Sequence, residues 1–78
     1  MNKARRKEIE KIYDELCGLQ ERMRELSDEE QEAYDNLPEG IQESERGEAM
    51  SECAWELDYI TTDLEDLASR LLEVTEQY

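Results

Sequence analysis

Seventy-eight residues suffice for one small domain, and with 41% charged residues, 37% hydrophobic residues, one Pro and three Gly the chain is too polar for a compact mixed α/β core. Acidic residues outnumber basic ones 23 to 9, giving a net charge of −14. That balance argues against direct docking onto a nucleic-acid backbone or an anionic membrane and favours a basic protein partner.

The basic residues are unevenly placed. Lys3, Arg5, Arg6, Lys7 and Lys11, against Glu8 and Glu10, give the first eleven positions a charge of +3 and leave −17 for the rest. No apolar core of a signal peptide follows this basic start and no apolar run approaches membrane-spanning length, so the expected compartment is the cytoplasm. Cys17 and Cys53 are expected there as reduced thiols.

From Ile9 the apolar residues step by three and four through Ile12, Leu16, Leu19, Met23 and Leu26, then Glu30, Ala33 and Leu37. This is a heptad seam with one charged fault and predicts a helix over about 3–36. Ser27-Asp28-Glu29-Glu30 also matches a capping box, so a break at Ser27 stands as an alternative to continuity.

The stretch Asn36–Ser44 contains the single Pro38, with Gly40 two residues on, and predicts a loop over about 37–44. Ser44 is placed to cap a following helix. From there Met50, Cys53, Leu57, Ile60, Leu64, Leu67, Leu71, Val74 and Tyr78 hold heptad phase, predicting a second helix over about 45–77.

So short a loop favours antiparallel neighbours, and the expected fold is all-α: a two-helix coiled-coil hairpin in one domain. Position numbers adding to 83 satisfy every layer of the two Leu/Ile ladders. Ile9 then meets Val74, Ile12 meets Leu71, Leu16 meets Leu67, Leu19 meets Leu64, Met23 meets Ile60, Leu26 meets Leu57 and Ala33 meets Met50. Glu30 faces Cys53, the basic start lies beside Glu73 and Glu76, and Cys17 is about 20 Å from Cys53 at 1.5 Å per residue, too far for a disulfide.

Two helices bury only a strip of each other. A homodimer, forming a four-helix bundle, is therefore expected, with Tyr13, Tyr34, Ala54 and Ala68 beside the seam as candidates to pack against the second copy.

No His is present and the two Cys stand apart, so neither a general base of the usual kind nor a zinc-ligand spacing can be read. No catalytic residue, metal ligand or cofactor is expected, and the carboxylates read as a solvated helix face. Trp55 and Tyr59, one turn apart at heptad positions f and c with Asp58, Asp63 and Asp66 nearby, are the candidate partner-binding group. The plainer reading of those aromatics is contact with a second copy. Rows of acids such as Glu48, Glu52, Glu56, Asp63, Glu65 and Asp66 could imitate the charge of a nucleic-acid duplex, or serve solubility alone. Arg46 and Gly47, at the start of the second helix, form a candidate anion-binding pair, as a sponge for a small nucleotide would need; the alternative is an ion pair of Arg46 with Glu30 or a neighbouring acid.

The segment Tyr34-Asp35-Asn36-Leu37-Pro38-Glu39-Gly40-Ile41-Gln42-Glu43-Ser44-Glu45-Arg46-Gly47-Glu48 resembles the central part of short acidic proteins encoded by bacteriophages and bacterial mobile elements. The resemblance implies a small phage accessory protein, a group in which inhibitors of host nucleases and immune systems are frequent. It brings no catalytic motif. A structural or assembly coiled coil that bridges other proteins is the expectation from a different class.

Overall fold

The computed structural model describes all 78 residues and is all-helical, with three helices and no strand: α1 (Lys3–Asp35), α2 (Glu39–Gln42) and α3 (Glu45–Gln77). The particle is elongated, 58 × 15 × 13 Å. α1 and α3 lie against each other along their length and in opposite directions, since the Met1 amine donates to the Tyr78 carbonyl at 3.3 Å while the other ends join through α2.

α1 is continuous through Ser27, so the capping-box break does not occur. Ser27 is instead buried in the seam, where a capping role is impossible because the residues on both sides are helical. The start of α1 is capped by Asn2, whose side-chain oxygen accepts from the Arg5 amide at 2.8 Å.

The expected loop holds one helical turn. Pro38, with its φ at −57°, presents its carbonyl to the amides of both Ile41 and Gln42, which closes the turn of α2. Gln42 then reaches back and donates from Nε2 to the carbonyl of Tyr34 at 3.0 Å, satisfying one of the acceptors left open at the end of α1. Ser44 caps α3 as expected, accepting from the Gly47 amide at 3.3 Å.

The seam differs from the Leu/Ile ladders. The buried row on α3 is Gly47, Ala54, Thr61, Ala68 and Thr75, an unbroken heptad of small residues, with Ala54 2% and Thr61 0% exposed. Facing it on α1 are the half-buried Arg6, Tyr13, Gln20 and Tyr34 and the buried Ser27. The Arg6 guanidinium donates to the Thr75 carbonyl, and farther along the seam Arg24 donates to Asp58 and Gln20 to Glu65, so the two helices run antiparallel within about two residues of the predicted register. Ser27, Ala54 and Gly47 are buried and Tyr34 is half-buried in this seam.

One row from each predicted ladder stays at the seam edge: Ile9, Leu16, Met23 and Glu30 on α1, and Met50, Leu57, Leu64 and Leu71 on α3, all half-buried. The other row does not. Ile12, Leu19 and Leu26 are exposed, as are Cys53, Ile60, Leu67 and Val74. Each helix is thus rolled by roughly 50° from the predicted orientation, at 100° per residue. The physical reason is width: short side chains on α3 let the backbones approach closely, and close approach is gained on the face that has them, not on the face with the largest residues.

The roll also moves other expectations. Tyr13, Tyr34, Ala54 and Ala68, expected to meet a second copy, are spent within the chain. Glu30 is half-buried at the seam edge, whereas Cys53, expected to face it, is exposed. Arg6 and the Met1 amine meet the backbone carbonyls of Thr75 and Tyr78, and no cation of the basic start forms an ion pair with Glu73 or Glu76. A cationic first turn is unfavourable for α1 and a last turn with no basic residue is unfavourable for α3. Placed side by side, each end offsets the other.

Candidate functional site: two unlike sides and an aromatic ridge

Heptad letters place the surfaces. With Ile9 and Met50 at a, the seam of each helix is entered through its a and e rows. Because the helices run in opposite senses, both d rows emerge on one long side and both b rows on the other.

The d side is apolar. Leu19 is 49% exposed and Leu67 48%, and a groove there is lined from both helices by Leu16, Leu67, Leu71, Val74 and Tyr78, with Arg70 and Glu73 at its rim. The b side is polar. Arg24 donates to Asp58 at 2.9 Å and lies 3.8 Å from Glu65, while Gln20 donates to Glu65 at 2.9 Å. These groups are about half exposed, so each pair contributes no more than about 0.2–1 kcal/mol. Their stronger effect is on register, since they cross the seam.

A second groove on the b side gathers Tyr13, Cys17, Gln20, Glu65, Asp66, Ala68 and Ser69. Within it the Tyr13 phenol is held above its ordinary value, first by hydrogen bonding to Cys17 one turn along and then by like charge from the same thiol. Cys17 is half-buried, Cys53 lies exposed on the d side, and both are free thiols.

Trp55 and Tyr59, 63% and 61% exposed, stand on the back of α3, away from the seam. Asp63 follows Tyr59 by one turn and Asp66 by one heptad, so these four form a ridge along the back of the helix. Asp58 does not share it. It turns to the b side, where Arg24 holds it. Trp55, Tyr59 and Asp66 point away from the apolar d side as well, while Asp63 borders it, so the aromatics and the apolar rows are separate surfaces.

Arg46 and Gly47 serve different ends. Gly47 is buried because α2 crosses directly over it: a Cβ there would collide with the carbonyl oxygens of Ile41 and Gln42 and stand 2.5 Å from the Gln42 carbonyl carbon. That crossing accounts for the glycine by sterics alone, and the two carbonyl oxygens would repel an anion. Arg46 is exposed and makes no ion pair with Glu30 or any other acid.

The small-residue row that forms the seam was missed in the ladder reading, although its signal is in the sequence: small residues recur at 47, 54, 61, 68 and 75 without exception. No group of His, Cys, Asp or Glu side chains is arranged to hold a metal ion, and no helix is long and apolar enough to cross a membrane. No protein-family model, curated protein or solved structure matches the chain.

Proposed function

We propose that this chain is a non-enzymatic protein-binding module, a coiled-coil hairpin that pairs into a four-helix bundle and presents an acidic, aromatic ridge to a basic site on another protein. A phage-encoded inhibitor that occupies such a site on a host nuclease or immune protein, in the bacterial cytoplasm, fits this chemistry. One observation carries the reading: Trp55 and Tyr59 are the two most exposed large aromatics within the helices and stand, with Asp63 and Asp66 beside them, clear of both the seam and the apolar rows. An amphipathic aromatic rimmed by carboxylates supplies contact area at low entropic cost and steers a cationic surface toward it.

The test is capture from a bacterial lysate on the immobilised chain. The expected ligand is a basic protein eluted by moderate salt and lost with Trp55→Ala/Tyr59→Ala or Asp63→Lys/Asp66→Lys. Capture that ignores all four positions, or a neutral ligand insensitive to salt, refutes the ridge. The assembly coiled coil is the second reading, favoured by the uncovered apolar side. It predicts binding that depends on Leu19 and Leu67 and not on Trp55.

A further inference from the structure

We infer that the side carrying both d rows is covered by a second copy of this chain, with Arg22 and Arg70 meeting acids of that copy across the new seam. The inference rests on the dimer reading above and adds the face that mates and the charges that border it.

Three observations point to this occupant. The first is area. The chain exposes 6063 Å², whereas a folded monomer of 9.3 kDa exposes roughly 5,000 Å². The excess of about 1,000 Å² is close to the roughly 800 Å² that each partner hides in a standard interface. A second α1–α3 pair laid along this one would remove it.

The second is pattern. α3 carries three adjacent rows suited to burial, at d, a and e, and α1 carries apolar d and a rows beside its e row, which is the width of bundle helices and not of a two-stranded seam. The e rows are consumed within the chain. Ile12, Leu19, Leu26, Ile60, Leu67 and Val74 on the d rows are left uncovered together on one side, whereas elsewhere on the long helices the exposed large apolar residues are the pair Trp55 and Tyr59 and single residues such as Leu72.

The third is charge. The g rows border the d rows, and they read Glu8, Glu15, Arg22 and Glu29 on α1 and Ala49, Glu56, Asp63 and Arg70 on α3. Arg22 and Arg70 make no ion pair within the chain. Two such pairs of helices can be stacked on a twofold axis either along the helices or across them. With the axis across, Arg22 meets Glu15 and Arg70 meets Glu56. With the axis along, Arg22 meets Glu56 and Arg70 meets Glu8. Either way both arginines gain an acid that a lone chain does not give them, and every adjacent helix pair is antiparallel. An anionic lipid surface would instead meet a chain of charge −14.

Sedimentation equilibrium on the full chain tests this. The wild type is expected at twice 9.3 kDa at tens of micromolar. Leu19→Glu and Leu67→Glu are expected to sediment as single chains. Leu72→Glu removes an exposed leucine from the b side, and Trp55→Ala alters the ridge; both should leave the dimer intact. Arg22→Glu/Arg70→Glu should weaken it at least tenfold at low salt. Should the leucine variants unfold, the wild-type melting temperature decides: a hundredfold dilution lowers it if a second copy covers the face. A wild-type monomer with a concentration-independent melt overturns both the dimer and the face. A wild-type dimer that survives Leu19→Glu and Leu67→Glu, or that Leu72→Glu breaks equally, overturns the face alone.

Discussion

Replacing glycine by alanine at two helical positions separates backbone propensity from packing. Gly18 lies in the middle of α1 with nothing within 4 Å of an added Cβ, so Gly18→Ala should gain about 1 kcal/mol from helix propensity alone. Gly47 has the same propensity to gain, but its Cβ would strike the backbone of Ile41 and Gln42. Moving the Gln42 carbonyl carbon from 2.5 Å to an ordinary 3.4 Å contact requires α2 to lift by roughly 1 Å. Backbone cannot rotate aside as a side chain can. The displacement strains the Gln42 hydrogen bond to Tyr34 that ties α2 to the end of α1. Overpacking of this kind costs about 3 kcal/mol at the upper end of its range, leaving a net loss of about 2 kcal/mol. For a chain this small each kcal/mol moves the melting temperature by about 4–8 °C. Thermal denaturation by circular dichroism at one fixed concentration should therefore show Gly18→Ala raised by about 4–8 °C and Gly47→Ala lowered by about 8–16 °C. A rise for both would mean that α2 does not sit on α3, and the account of the connection would fail.

Ser27→Ala should be neutral or stabilising by about 0.5 kcal/mol, because a buried hydroxyl inside a continuous helix is exchanged for a better helix former; a loss near 1 kcal/mol in chemical denaturation would mean that Ser27 is a cap after all. Thr61→Leu, at a position with no exposed surface, should cost about 1–3 kcal/mol by forcing the helices apart, whereas Ile60→Leu next to it should cost little; equal effects would contradict the roll of α3. Arg24→Ala should cost less than about 1 kcal/mol and lose its effect in high salt, as expected for exposed pairs with Asp58 and Glu65; an effect that survives 1 M salt would refute their electrostatic character. The Tyr13 phenol should ionise above its ordinary value in an ultraviolet titration and return toward it with Cys17→Ala. Because the folded value is raised, its contribution to stability is present below the ordinary phenol range and is lost as pH rises through the folded value; a wild-type phenol that titrates normally would remove the Cys17 interaction.

How much of this was legible in the sequence depends on which residues were read. Pro38 and Ser44 bracketed the connection, and the two heptad phases placed both long helices within a residue of their observed ends. The orientation of those helices was not legible from hydrophobicity, because Leu19 and Leu67 outweigh Ala54 and Thr61 on any transfer scale while the small pair permits the closer backbone approach. One cue was available: three adjacent rows suited to burial are more than a single partner can cover. Within the candidate site, Trp55, Tyr59, Asp63 and Asp66 could be grouped by spacing alone, since all lie on one helix. Asp58 was grouped with them because its partner Arg24 comes from the other helix, and the roll that brings both to one side is not the one the leucines indicate.

The closeness of Met1 to Tyr78 has a practical side. Any peptide appended before the first residue or after the last departs from the same tip of the rod, leaving the opposite tip and all four long flanks unobstructed. Joining the two ends by a short linker would close the backbone into a ring with little added loop entropy, and new ends could then be opened near Gly40, where an added Cβ meets open space. A circularised or permuted chain of this kind would keep every contact between the long helices while reversing which tip is tethered.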